Sequence, residues 1–181
     1  MSNAVIHIFG ASGSGTSTLG SYISELLGYT FMDTDDYYWK PTNPPYREAR
    51  PVSERLELMK SRIAKSGDVV ISGSLSGWGD GLIPLFTLAV RLVTDCAIRI
   101  ERLKKREKEK FGARVETGGD MFDEHKAFLA WAAEYDSGDR TIRSKALHDE
   151  WQKLLACPLI VLDGSAPVEE NFEKIRTALK R

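Results

Sequence analysis

The sequence predicts a three-layer α/β/α domain around a five-stranded parallel sheet, on three observations. Five short apolar runs alternate with amphipathic stretches of helical period along the chain, which is the pattern of strands joined by helical crossovers. The first run stops at a glycine cluster that opens directly into one of those helices. At 181 residues, 42% apolar and 28% charged, the chain suits one core, since a single core commonly serves roughly 100–200 residues. One domain spanning residues 1–181 is expected.

Residues 4–9 form a short, mostly apolar run that does not alternate, as a strand buried on both faces does. His7 lies within it and reads as a core histidine rather than a ligand. Over 16–27, Leu19, Ile23, Leu26 and Leu27 recur at helical spacing, and Gly28 supplies the stop. A second strand over 29–32 runs into the acidic cluster Asp33, Thr34, Asp35 and Asp36. Prolines 41, 44, 45 and 51 exclude a helix from 41–51, leaving an irregular loop long enough to serve a function.

A helix follows over 53–66, capped by Ser53, with Leu56, Met59 and Ile63 on one face. The third strand is 69–71. Beyond the glycine-rich SGSLSGWGDG, a fourth strand covers 87–93 and a strongly charged helix 96–110, which GARVETGGDM breaks. Helices over 122–135 and 141–155, a strand over 159–162 and a helix over 168–179 complete the alternation.

The net charge of -1 offers no global field for a nucleic-acid backbone or an anionic membrane, so neither is expected as a partner and any cationic site is local. No apolar stretch approaches the ~20 residues that span a bilayer, and a cytoplasmic location is expected. Cys96 and Cys157 lack paired spacing and read as buried thiols.

The sharpest local signal is GASGSGTS at residues 10–17, which matches the phosphate-binding spacing GxxxxGK[ST] except that Thr16 replaces the lysine. Glycines there let backbone N–H groups turn toward phosphate oxygens, and the following helix points its positive end at them. The expected phosphate-binding residues are Gly10, Ser12, Gly13, Ser14, Gly15, Thr16, Ser17 and Thr18, with Ser17 in the position whose hydroxyl holds magnesium. The alternative is an ordinary glycine turn, but the preceding strand and following helix are the surroundings a phosphate loop requires. A cation must replace the lysine if phosphate is transferred, and Arg102, Arg106, Arg114, Arg140 and Arg143 are the candidates.

The loop, together with LLGYTFMDTD at 26–35, resembles the small P-loop kinases, the group of shikimate, adenylate and uridine-type kinases. The FMDTD ending is most similar to shikimate kinase; the resemblance is specific over roughly the first 36 residues and architectural afterwards. It implies the P-loop NTPase fold with strand order 2-3-1-4-5. It also implies magnesium on Ser17 and near Asp33, and a substrate hydroxyl on Asp35. The charged helix followed by FGAR resembles the hinge into a lid near 111–143, whose arginines close over phosphates. Arg106, sharing a face with Arg102, and Arg140 are the expected catalytic arginines.

Beyond Thr16, two features depart from shikimate kinase. SGSLSGWGDG replaces a triple glycine, and Tyr37, Tyr38 and Trp39 replace a charged helix start. Gly73, Ser74, Ser76 and Trp78 could receive a ring or sugar, or could form a turn with Trp78 packed on the core. The aromatic triplet, beside a possible substrate loop near 37–52, could stack a planar group or belong to the core.

The expected function is a phosphotransferase that uses ATP and Mg2+ on a small hydroxyl- or phosphate-bearing acceptor, as a monomer or homodimer. The alternatives are a nucleotide-binding module without transfer and a triphosphate hydrolase.

Overall fold

The chain folds around strands β1 (Val5–Gly10), β2 (Thr30–Asp33), β3 (Val69–Ser72), β4 (Leu88–Val93) and β5 (Leu159–Asp163). All pair in parallel in the order β2-β3-β1-β4-β5. This is the order the family resemblance implies, seen in a computed structural model that describes residues 3–180. The central strand β1 is buried along its whole length, which is why its sequence does not alternate.

Helices cover both faces: α1 (Thr16–Leu27), α2 (Thr34–Tyr38), α3 (Val52–Ser66), α4 (Cys96–Phe111), α5 (Phe122–Ala133), α6 (Lys145–Trp151) and α7 (Val168–Leu179). Alternation along β1 divides the core. Ile6 and Ile8 meet Leu19, Ile23, Phe172 and Ile175 of α1 and α7, while Val5 and Phe9 meet Met59, Ile63 and Trp151 of α3 and α6. Each such side chain contributes about 1.5–3 kcal/mol on burial. The sheet thereby presents Gly10, Asp33 and Ser72 together at its carboxyl edge, where open parallel sheets bind their ligands.

Three local expectations are corrected. Helix α3 starts at Val52 behind Pro51, not at a Ser53 cap. The helix expected over 141–155 begins only at Lys145. The Asp139 carboxylate holds the Thr141 backbone N–H (2.8 Å) and hydroxyl in a turn, and Ser144 then caps the helix by accepting from the Leu147 N–H (3.0 Å). Cys96 and Cys157 are half-buried rather than buried.

His7 is wholly buried, as expected of a core residue, and its Nε2–H donates to the Gly73 carbonyl (2.9 Å) while its ring stacks on Phe9 and Phe86. Burial lowers its pKa to about 4, against the Gly73 hydrogen bond. His148 falls to about 3 through burial, then the charges of Arg143 and Arg91. Arg99 has no exposed surface. Its guanidinium donates to the Thr94 and Ala132 carbonyls (3.1 Å each) and to Asp136 Oδ2 (2.6 Å), tying α4 to the end of α5. No described helix is long and apolar enough to cross a membrane.

Two outcomes follow for stability. Both histidines titrate lower folded than unfolded, so the unfolded chain binds more protons below the ordinary value of 6.5. Stability is full above that value and declines as pH falls toward about 4, which urea unfolding across a pH series will show. Arg99→Met strands the two carbonyls, and the same assay should show a loss of about 3 kcal/mol.

Candidate active site

The loop joining β1 to α1 owes its shape to steric exclusion. A side chain at Gly10 would place Cβ 2.6 Å from the Leu92 carbonyl oxygen, and one at Gly13, where φ is 81°, would place it 2.6 Å from that of Arg99. The α1 N-cap is Gly15, which has no side chain to offer, and the first turn carries no acidic residue. Its leading N–H groups and positive dipole end are therefore free for an anion. From beneath, the Thr94 hydroxyl donates to the Ser14 carbonyl (3.2 Å).

Two clefts open on either side of this loop, of about 790 and 490 Å³. Gly13, Thr16, Ser17 and Arg106 line both. The larger adds Gly10 and Ser12 of the loop, the acidic residues Asp33, Asp35 and Asp36, and Gly73 and Ser74 beyond β3. Its aromatic walls include Tyr38, Trp39, His125, Phe128 and Trp131. The smaller adds Gly15, Thr18, Arg102 and Gly164. Ser14 lines neither; its hydroxyl is buried under the loop without a partner.

Ser17 Oγ donates to Asp33 Oδ2 (2.7 Å), and Asp33 Oδ1 accepts from the Asp35 backbone N–H (3.0 Å). Asp33 thus caps α2 and holds Ser17 at once. Asp35 remains open to solvent but is crowded within the cleft. Its carboxyl is raised above the usual range, first by desolvation and then by Asp33, with Arg143 and Arg106 opposing. Asp36 is raised by desolvation and Asp33 as well.

The arginines separate clearly. Arg106 faces both clefts and is held by Glu107 (Nη2 to Oε1, 2.8 Å). Arg102 lies in the smaller cleft, donating to the Gly164 carbonyl (3.0 Å). Arg143 lies in the larger, 5.0 Å from the Trp131 ring centroid, with no hydrogen bond or ion pair among the described residues. Burial lowers its pKa, and Asp35 opposes the shift.

Arg140 is exposed and lines neither cleft, and Arg114 is paired outside them with Asp120 (2.7 Å). Trp78 packs on the core and donates to the Ser74 carbonyl (3.2 Å) instead of walling the cleft. At the cleft mouth the proline-rich loop meets the later helices through Lys110 to Tyr46 (2.7 Å), Arg47 to Glu124 (2.6 Å) and Arg114 to Asn43 (3.2 Å).

The sequence reading missed His125, Phe128 and Trp131, and with Met121 they form one stripe at helical spacing that could have revealed them. Lys110, the last residue of the charged helix expected over 96–110, was also missed.

A family model described as AAA domain matches residues 6–124. The chain is 39% identical over 170 residues to the uncharacterized protein YqaC of Bacillus subtilis (strain 168), covering 94% of each. A cytidylate kinase of Archaeoglobus fulgidus is 31% identical over 113 residues, 56% of this chain and 61% of that protein. In fold the chain is similar to shikimate kinase from Acinetobacter baumannii in complex with shikimate, with a TM-score of 0.58 at 16% identity over 98% of this chain and 93% of that one. A gluconokinase from Sinorhizobium meliloti 1021 gives 0.50 at 17% identity over 98% and 96%. With the parallel sheet in the order β2-β3-β1-β4-β5 and the glycine loop between β1 and α1, this chain has the fold of these small P-loop kinases and belongs to the AAA domain family.

Proposed function

We propose that the chain is an ATP-dependent phosphotransferase acting on a hydroxyl or phosphate group of a small acceptor. One observation carries the reading: the uncapped helix end and its loop are the shared wall of two clefts, the larger of which holds Asp35. A nucleotide in the smaller cleft and an acceptor in the larger would meet over Gly13, Thr16 and Ser17. The names of the cytidylate kinase relative and of the shikimate kinase and gluconokinase likenesses support transfer, and they differ in acceptor.

In this reading the backbone N–H groups from Gly13 to Thr18 hold the phosphate chain. Asp35 takes the proton of the attacking hydroxyl, and its raised pKa makes it a stronger base than a free aspartate. Arg143 and Arg106 stabilise charge on the phosphoryl in transit. Arg143 takes the part that the sequence assigned to Arg140. Arg106, the cation that lines both clefts, replaces the lysine missing at Thr16, and must leave Glu107 to do so. Residues 37–52 and 111–143 serve as substrate loop and lid, shutting out water.

Ser17 and Asp33 fit magnesium, being hard oxygen donors side by side at the loop. No described cluster of three or more His, Cys, Asp or Glu side chains could hold a metal alone, which suits an ion that keeps water and phosphate oxygens in its shell. When bound, it would neutralise phosphate charge. The threonine at 16 and the Arg106–Glu107 pair favour a second reading, nucleotide binding without transfer.

Calorimetry with magnesium ATP tests the first step. Binding should weaken about tenfold, or about 1.4 kcal/mol, in Ser17→Ala; no binding of ATP or GTP by the native chain would sink the proposal. An acceptor screen with ADP release as readout then separates transfer from binding alone, and Arg143→Met should lower turnover about 100-fold or more.

Asp35→Asn gives a signed pair of effects. The native carboxyl binds its proton at higher pH than the unfolded one, so its stability contribution falls as pH rises through that interval. At neutral pH the asparagine variant should melt higher and turn over far more slowly; a lower melting temperature would contradict the assignment.

A further inference from the structure

Behind the larger cleft runs a line of buried polar side chains that phosphate transfer leaves unused. Ser74, just beyond β3, is 6% exposed and lines the cleft. Its Oγ lies 2.9 Å from Nε2 of His148 on α6, whose Nδ1 lies 2.8 Å from the hydroxyl of Tyr135 after α5. Burial raises the pKa of that phenol, and the charge of Arg91 on β4 opposes the rise. Arg91 is anchored in turn by Asp149 (2.6 Å) and Gln152 (2.8 Å).

These partners give the line a direction. The Tyr135 hydroxyl is buried and carries one proton, which is left unpaired unless it is donated to His148 Nδ1. Among the described residues the Tyr135 hydroxyl has no other acceptor. A neutral imidazole that accepts at Nδ1 carries its proton on Nε2, which then donates to Ser74 Oγ. Burial keeps His148 neutral. With one lone pair of its oxygen taken by His148, Ser74 keeps its own proton to give. Ser76 Oγ lies 2.8 Å away.

We propose that Ser74 is a specificity-determining residue of the acceptor cleft: the Tyr135–His148 line directs its hydroxyl to donate, so the ligand turns an unprotonated oxygen or ring nitrogen toward it. Tyr38, Phe128 and Trp131 line the same cleft, the last two stacked at 5.9 Å, so the group presented to Ser74 belongs to a flat ring. A ring that offers N–H instead meets a second donor and is rejected, because a buried polar group left unpaired is costly. The inference rests on the larger cleft being the acceptor site.

Two measurements on the full chain test it. Nitrogen-detected histidine NMR should find His148 neutral with its proton on Nε2, a preference that Tyr135→Phe weakens. Titration with quinoline and indole then compares flat, neutral probes of similar size, one with a bare ring nitrogen and one with N–H. Quinoline should bind about tenfold more tightly; Ser74→Ala should abolish the difference and Ser74→Thr keep it. A His148 proton on Nδ1, equal binding of the two probes, binding of neither, or a preference that survives Ser74→Ala would each overturn the proposal. Neither measurement uses nucleotide, so a failure of ATP binding on the same samples would count against the kinase reading alone.

Discussion

Arg99 carries a full charge with no exposed surface, and the site is arranged around the way that charge is satisfied. Its side chain holds the start of α4 against the end of α5 through the Thr94 and Ala132 carbonyls and Asp136. Its own carbonyl is the atom that a side chain at Gly13 would strike. One residue therefore sets both the floor of the phosphate loop and the angle of the helix that brings Arg102 and Arg106 to it. Removing a partner from such a buried arrangement costs more than the arrangement contributes over an apolar one, so its value here is positional.

Within the larger cleft, charge is balanced locally although the chain as a whole is almost neutral. Asp33, Asp35 and Asp36 share its lining with Arg106, Lys110 and Arg143. Asp35 is raised by desolvation and by its acidic neighbours while the arginines restrain the shift. Such opposed perturbation within a cleft is characteristic of sites that handle protons and phosphate. A protein of this composition can bind a multiply charged ligand without a cationic surface.

The parts legible in the sequence were those where backbone geometry demands particular residues. The glycines at 10, 13 and 15 announced the loop because only glycine fits there, and the mostly apolar run of 4–9 announced a strand buried on both faces. Ser17 was located by its place in the loop pattern, and Asp33 by the resemblance of the FMDTD ending to shikimate kinase. Side-chain direction was not legible. Arg140 and Arg143 are three residues apart at the edge of a helix expected from 141, but the Asp139 turn and the Ser144 cap delay that helix to Lys145, leaving one arginine in solvent and the other in the cleft. The aromatic stripe of α5 did not stand out as a cleft wall because amphipathic periodicity reports a buried face without saying whether protein or ligand covers it.

The mouth of the larger cleft is bridged by three contacts between the proline-rich loop and the later helices: Tyr46 with Lys110, Arg47 with Glu124, and Asn43 with Arg114. All three are exposed, and exposed pairs of this kind contribute only about 0–1 kcal/mol each. Contacts so fastened add little to the fold, and salt that screens the Arg47–Glu124 pair weakens it further. An occupant would owe its residence to the contacts it makes inside the cleft rather than to those across its mouth.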